Sequence, residues 1–257
     1  MTTAELTRVP QGHYGFANVA QMEWIKLRTL RSTWATLAIA AAGALGVAIA
    51  VGVNSKSASE DVTNNVLAGV ALGLLAIGVL GVLIMTSEYS SGMIRATLAA
   101  TPNRSLLLAA KAAVFGAVAL ALGEVASFIS FFAGGLALRH GLHAPALSQP
   151  HVLRAVLLAG VSYCLVGLIG LGIGAMIRNS PVAIAILVGG VYVAAQLLGA
   201  VAKSVIPYIP ISIVANSLSA VKPQAHVLSA WAGLGMLALY AAIALVIGGF
   251  LLARRDA

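Results

Sequence analysis

The chain has 257 residues, 60% apolar side chains, 9% charged side chains and a mean hydropathy of +1.00. That excludes a soluble globular domain, where about a quarter of residues are charged and about half are apolar. A net charge of +8 is compatible with nucleic acid, but the basic residues are scattered singly between long apolar runs and form no patch. The single cysteine, Cys164, excludes an intrachain disulfide.

Residues 1–16 are largely polar, and the first long apolar run begins near Trp34, too late for a cleavable signal peptide. The stretch FANVAQMEWIKLRTLRSTWATL, residues 16–37, predicts a helix lying along a membrane surface. Trp24 and Trp34 fit interfacial anchors, and Lys26, Arg28 and Arg31 fit an anionic leaflet. Glu23 breaks the pattern, because it falls among apolar positions on the helical wheel. Its one basic neighbour at helical pairing distance is Lys26, and such a pair at an exposed site is worth little.

Six apolar runs follow, each near the ~20 residues that cross a bilayer. They cover about 34–53, 66–85, 112–138, 155–177, 181–201 and 229–252, with Leu106–Lys111 leading into the third along the interface. Pro181 marks a tight turn between the fourth and fifth. The expected fold is therefore an all-α polytopic membrane protein with six transmembrane helices. Residues 1–33 form a cytoplasmic N-terminus with an interfacial helix, and residues 34–257 form one membrane domain. Six spans put both termini on one side. That side holds Arg8, Lys26, Arg28, Arg31, Arg95, Arg104, Lys111, Arg178, Arg254 and Arg255, against Lys56, Arg139, Arg154, Lys203 and Lys222 on the other. The excess of basic residues makes the termini and the 86–105 loop cytoplasmic. His140 and His143 lie close together outside, but no cysteine or acidic residue accompanies them as a metal site would require.

The connection SEYSSGMIRATLAATPNRS, residues 87–105, is too long and too patterned for a simple turn. It predicts a helix capped by Ser87, with Glu88 in its first turn and a stop at Pro102. Glu88, Ser91 and Arg95 fall on one stripe, and Tyr89, Met93, Ile94 and Thr97 fall on the opposite side. A helix with one charged and one apolar edge suits docking into a groove of another protein, or lying on the headgroups. Within the spans, Glu124 is the most pointed residue, since an ionisable group there requires protein or water beside it. It reads as a substrate contact, a proton relay, or a protonated group bonded to a neighbouring helix or to Ser127. Ser162, Tyr163, Tyr192 and Gln196 are further polar groups inside spans, suited to a substrate path or to helix–helix hydrogen bonds. Gly69 with Gly73, and Gly170 with Gly174, have the spacing that allows close helix contact.

The order of these elements, with EWIKLRTLRSTW at 23–34 and EYSSGMIRATLAATPNR at 88–104, resembles an ABC type-two exporter permease of the actinobacterial drug-exporter kind. The resemblance implies that residues 87–104 are a coupling helix seated in a cleft of an ATP-binding subunit, with Glu88, Met93, Arg95 and Arg104 transmitting its motion. It implies that Glu23, Trp24, Lys26, Arg28 and Arg31 belong to a connecting helix. It also implies short re-entrant helices in the proline-broken segment 203–228. It further implies a dimer of ATPase subunits carrying ATP and Mg, a second permease copy, and a bacterial plasma membrane location. None of the five lysines follows a glycine, so the chain lacks a G-x-x-x-x-G-K phosphate loop. No catalytic residue or resident cofactor is expected, nor a nucleic-acid partner. Two other functions compete with export: a proton-coupled carrier built on Glu124, and a membrane scaffold that moves nothing.

Overall fold

The computed structural model describes residues 15–29, 31–55, 61–139, 142, 146–149, 151–220 and 227–254. His140, His143, Arg8, Lys56, Lys222 and Arg255 lie outside the described residues. Arg31 opens a helix, but its side chain is also outside the description.

Every regular element among the described residues is helical. Helix α1, Phe16–Thr29, buries Val19, Glu23 and Leu27, which share one face because they recur every four residues. Helix α2, Arg31–Asn54, follows after one residue and contains the first expected span. Its described apolar stretch, Ala41–Asn54, is shorter than a bilayer crossing. A short helix α3, Val62–Val66, is capped by Asp61, whose carboxylate accepts from the backbone N–H of Asn64.

Among the described residues, five helices are long and apolar enough to cross a membrane: α4 (Gly69–Ser90), α6 (Arg104–Ala137), α7 (Val152–Ile177), the continuous run Ser180–Val201, and α11 (Ala230–Arg254). They fall on the stretches read as spans two to six and define an all-α, multi-pass membrane protein. The boundaries differ in two places that matter. Helix α4 continues through Ser87 and Glu88 to Ser90, so Ser87 caps nothing. Helix α6 starts at Arg104, capped by Asn103 onto the N–H of Leu106, so 106–111 is continuous with the span helix. At about 1.5 Å per residue its 34 residues extend about 51 Å, well beyond a ~30 Å hydrocarbon core.

The run Ser180–Val201 is not uniform. It opens with α8, Ser180–Ala185, capped by Asn179 with Pro181 in its first turn, as the turn signal there requires. It passes through a π-helical stretch, Ile186–Ala194, and closes with α9, Ala195–Val201. The segment before α11 contains a 3₁₀ piece, Lys203–Tyr208, with Pro207 inside it, and helix α10, Pro210–Ser217, which starts at Pro210.

Helix α7 forms the centre, packed on α4, α6 and α11. Its apolar window is 72% buried, against 17% for Ser180–Val201 and 28% for α11, so the last two run along the outside. Water expulsion drives little helix association inside a bilayer, so close backbone contact through small residues takes its place. Gly170 on α7 meets the carbonyl of Gly78 on α4, and Gly81 meets the carbonyl of Gly167. A methyl group at either glycine would collide with backbone. Gly69 lies against the backbone of Ala44 on α2, and Gly73 against the ring of Tyr163.

Hydrogen bonds fix which helix ends meet. Arg104, at the start of α6, donates to the carbonyl of Leu252 near the end of α11 at 2.8 Å. Arg178, at the end of α7, stacks over the Tyr89 ring near the end of α4, 4.9 Å from its centroid. At the other end, Arg154 in the first turn of α7 donates to the carbonyl of Ser219 at 2.8 Å. There Ser219 Oγ and the N–H of Ala220, at 3.0 Å, both donate to Asp61 Oδ2.

Candidate functional site: a buried cluster of four charges

The chain departs furthest from an inert bundle where α1, α4 and α6 meet. The face of α1 that buries Val19 and Leu27 also carries Glu23 inward, which is why this glutamate interrupts an otherwise apolar stripe. Glu88 arrives from the last turn of α4, and Lys111 from about 10 Å along α6. Lys26 reaches across from the next turn of α1. Lys111 Nζ lies 2.5 Å from Glu23 Oε2 and 2.7 Å from Glu88 Oε1. Lys26 Nζ lies 3.0 Å from Glu23 Oε1 and 3.1 Å from the same Glu88 oxygen. It also donates to Thr97 Oγ1 at 3.1 Å, which ties in helix α5, Met93–Ala100.

Two carboxylates and two ammonium groups thus balance in a largely buried cluster. Lys111, Glu23 and Glu88 are only 3%, 4% and 6% exposed. At such depth an unpaired charge is strongly unfavourable, so each member depends on the others. The Glu23–Lys26 pair was expected to be an exposed, weak contact. It is one edge of a buried network, and the partners that change its weight, Glu88 and Lys111, lie 62 or more residues away. Burial works against the charge on Lys26, but Glu23 and Glu88 outweigh it and hold the ammonium above its ordinary value. By sequence alone, Lys111 is legible only as a topology marker. A lysine within an apolar helix, seven residues from its start, was the available signal.

The 87–104 stretch is not one helix. Ser91 and Gly92 break it, with Gly92 in the left-handed region at φ 72° and its N–H bonded to the Tyr89 carbonyl. The Ser-Ser-Gly sequence is a helix stop that the wheel passed over. The break separates the four residues expected to act together. Met93 and Arg95 stand exposed on α5, while Ile94 and Thr97 face inward. Glu88 is buried in the ion cluster, and Arg104 is partly buried and bonded to α11. Glu88 and Met93 line one cavity, Arg95 is exposed on α5, and Arg104 is bonded away to α11. On α1, Trp24 and Arg28 are exposed, and the indole N–H of Trp34 donates to the Arg28 carbonyl at 3.1 Å.

Beside the cluster lies a cavity of about 380 Å³. All four charged residues line it, with Leu27, Ile84, Val114 and Phe115 as apolar wall and Thr29, Ser87, Ser90, Ser91 and Met93 nearby. Glu88 Oε1 takes both lysines, and its Oε2 is buried without a hydrogen-bond partner.

The intramembrane group is arranged differently. Glu124 packs its carboxyl against Gly160 of α7, and one of its oxygens is buried without a partner. Ser127 donates to the main-chain carbonyl of Glu124 at 2.9 Å and leaves the carboxyl alone, so the expected side-chain pairing does not form. Tyr163 crosses from α7 towards Gly123 and Gly73, and its hydroxyl is buried without a partner. It lines a small cavity of about 110 Å³ among α2, α4 and α6. Ser162 bonds back to the Leu158 carbonyl of its own helix. Tyr192 lies partly buried in the π-helical stretch, and Gln196 is exposed on α9, away from any shared lining with Glu124. No protein-family model matches the chain, and no curated protein matches it.

Proposed function

We propose that the chain is the membrane-spanning permease subunit of an ABC-type exporter, moving a hydrophobic or amphipathic substrate out of the cytoplasm. ATP and Mg are held by a separate ATPase dimer. The observation that carries this reading is the ion cluster. It joins an interfacial helix, the end of one span and the start of the next, and through Thr97 it holds a short exposed helix against them. Such a helix, rigidly backed and presenting Met93 and Arg95 outward, suits a partner that pushes on it. In this reading α2 supplies a sixth span, the cluster end is cytoplasmic, and a second permease copy completes the pathway. The excess of basic residues at the cluster end supports the orientation: Lys26, Arg28, Arg95, Arg104 and Lys111 all belong to it.

The test is to look for an ATPase with a phosphate loop in the neighbouring reading frame, purify the chain with it and measure ATP hydrolysis. Stimulation by the wild type and its loss with Arg95→Glu, at unchanged thermal stability, is the expected result. An ATPase rate indifferent to the chain would defeat the proposal. A second reading, a proton-coupled carrier, draws support from the unpartnered oxygen of Glu124. It predicts transport driven by a pH gradient, lost with Glu124→Gln and independent of ATP. A membrane scaffold predicts neither.

A further inference from the structure

We infer that an apolar cavity between α7, the run Ser180–Val201, the 3₁₀ piece and α11 holds an alkyl chain of a bilayer lipid. Its volume is about 320 Å³, within the ~300–1,000 Å³ of small-molecule sites. Ile169 of α7, Val191 of the π-helical stretch, Leu198 of α9 and Val205 of the 3₁₀ piece form its walls, with Tyr208 and Tyr240. Gly199 brings α9 close against the Ile206 and Ile209 side chains, where an added methyl group would lie 2.7 Å from Ile209 Cδ1. Leu198, Val205 and Tyr208 are themselves exposed, so the cavity opens to the outside beside them.

The lining selects the chemistry of the occupant. No charged side chain lines the cavity, and its only polar side chains are the two tyrosines. Tyr240 spends its hydroxyl proton on the Tyr208 carbonyl at 2.9 Å. Water needs about two to four polar partners for each molecule and finds few here. An empty space forfeits dispersion contacts along its whole lining, so an apolar filler is favoured. Depth then identifies that filler. Tyr240 stands ten residues into α11, about 15 Å from its start and about 21 Å from its end, at mid-depth of that span. The run Ser180–Val201 and α11, which both line the cavity, are the two least buried of the five candidate spans, so hydrocarbon is what reaches the opening. An alkyl chain supplies dispersion contacts there and asks for no hydrogen bond. The inference goes beyond export and does not rest on it, because lipid binding to the full chain is read without an ATPase.

The experiment uses the full chain in phosphatidylcholine nanodiscs doped with a phosphatidylcholine that carries a diazirine in one acyl chain. Light releases nitrogen from the diazirine, the resulting carbene inserts into neighbouring bonds, and peptide mass spectrometry reads the labelled residues. Lipid on the outer surface labels exposed residues such as Leu197 and Val201. Ile169 and Ile209 are only 6% and 2% exposed, so their label requires a chain inside the cavity. Label on both is expected in the wild type. Ala195→Phe fills the cavity from its α9 wall and should remove that label while Leu197 and Val201 keep theirs. Wild-type label confined to the exposed residues would overturn the inference, whether or not the variant folds. Wild-type label missing from Leu197 and Val201 as well would overturn it in favour of a second copy covering this face. Unchanged label on Ile169 and Ile209 in a folded Ala195→Phe would place the chain elsewhere.

Discussion

Replacing Lys111 with methionine keeps most of its length and removes its charge. The ammonium is 3% exposed and lies 2.5 and 2.7 Å from two carboxylates that are themselves 4% and 6% exposed. The variant leaves both glutamates to share Lys26, so one buried carboxylate goes uncompensated. Breaking a buried ion pair from one side costs about 3–5 kcal/mol. At roughly 2–4 °C per kcal/mol for a chain of this size, the melting temperature should fall by about 6–20 °C. A second substitution, Glu23→Gln, restores neutrality by leaving Lys26 with Glu88 alone. The double variant Glu23→Gln/Lys111→Met should therefore recover at least half the loss, since a neutral replacement of a buried pair is nearly free of penalty. The assay is thermal unfolding in detergent, followed by tryptophan fluorescence or by size-exclusion recovery after heating. A loss below about 2 °C for Lys111→Met, or strictly additive losses in the double variant, would refute a closed and mutually dependent cluster.

The pH dependence of Lys26 has a definite sign. Its folded value lies above the ordinary 10.5, so its contribution is complete below pH 10.5 and is lost as the pH rises through the higher folded value. Melting temperatures from pH 9 to 11.5 should show this alkaline loss in the wild type and less of it in Lys26→Met. Gly170→Ala drives a methyl group into the Gly78 carbonyl and should destabilise by about 1–3 kcal/mol, whereas Gly189→Ala meets open space and should be neutral or slightly stabilising. Asp61→Ala removes the cap of α3 and leaves the Ala220 N–H without its acceptor, so it should cost about 2–4 kcal/mol in the same melting assay. Ser219→Ala in that background should add little, because its hydroxyl has already lost the same carboxylate.

The bundle was legible in the sequence because bilayer crossing is a local property of length and hydropathy. Five of the six expected spans reappear as helices that meet both criteria, and Pro181 marks the turn between the fourth and fifth; the caps Asn103 and Asn179 went unread. The glycine pairs were legible for the same reason, since close approach needs a small residue whatever the partner. The site was legible only in pieces. A helical wheel treats 87–100 as one rotor, and a single positive φ at Gly92 resets its phase, moving Glu88 from the outer stripe to the interior. Glu23 signalled itself as an intruder on an apolar face, but its main partner lies 88 residues on, beyond any periodicity argument. Burial, not spacing, decides whether a Glu–Lys pair is a weak surface contact or one side of a closed network.

The two polar ends also differ in what they leave free to move. At one end, Asp61, Ser219, Ala220 and Arg154 join α3, the segment after α10, and α7 by hydrogen bonds to short loops. At the other, four charges join α1, α4 and α6 through side chains rooted in long helices. Between them, α4 and α7 touch backbone to backbone at Gly78–Gly170 and Gly81–Gly167, a contact with no side chain to rearrange. Helix α5 is tied to the bundle by the Thr97–Lys26 bond, by buried Ile94 and by Leu98 packed against Val19 and Leu107. Among the described candidate spans the least buried is the run Ser180–Val201, with 17% of its window buried, a π-helical middle, and Gly189 and Gly190 facing open space. In the permease reading, motion entering at α5 is carried as one body by the glycine-packed core. It is released where packing is thinnest, along this fifth apolar run, so Gly189→Leu should leave ATP hydrolysis intact and impair transport.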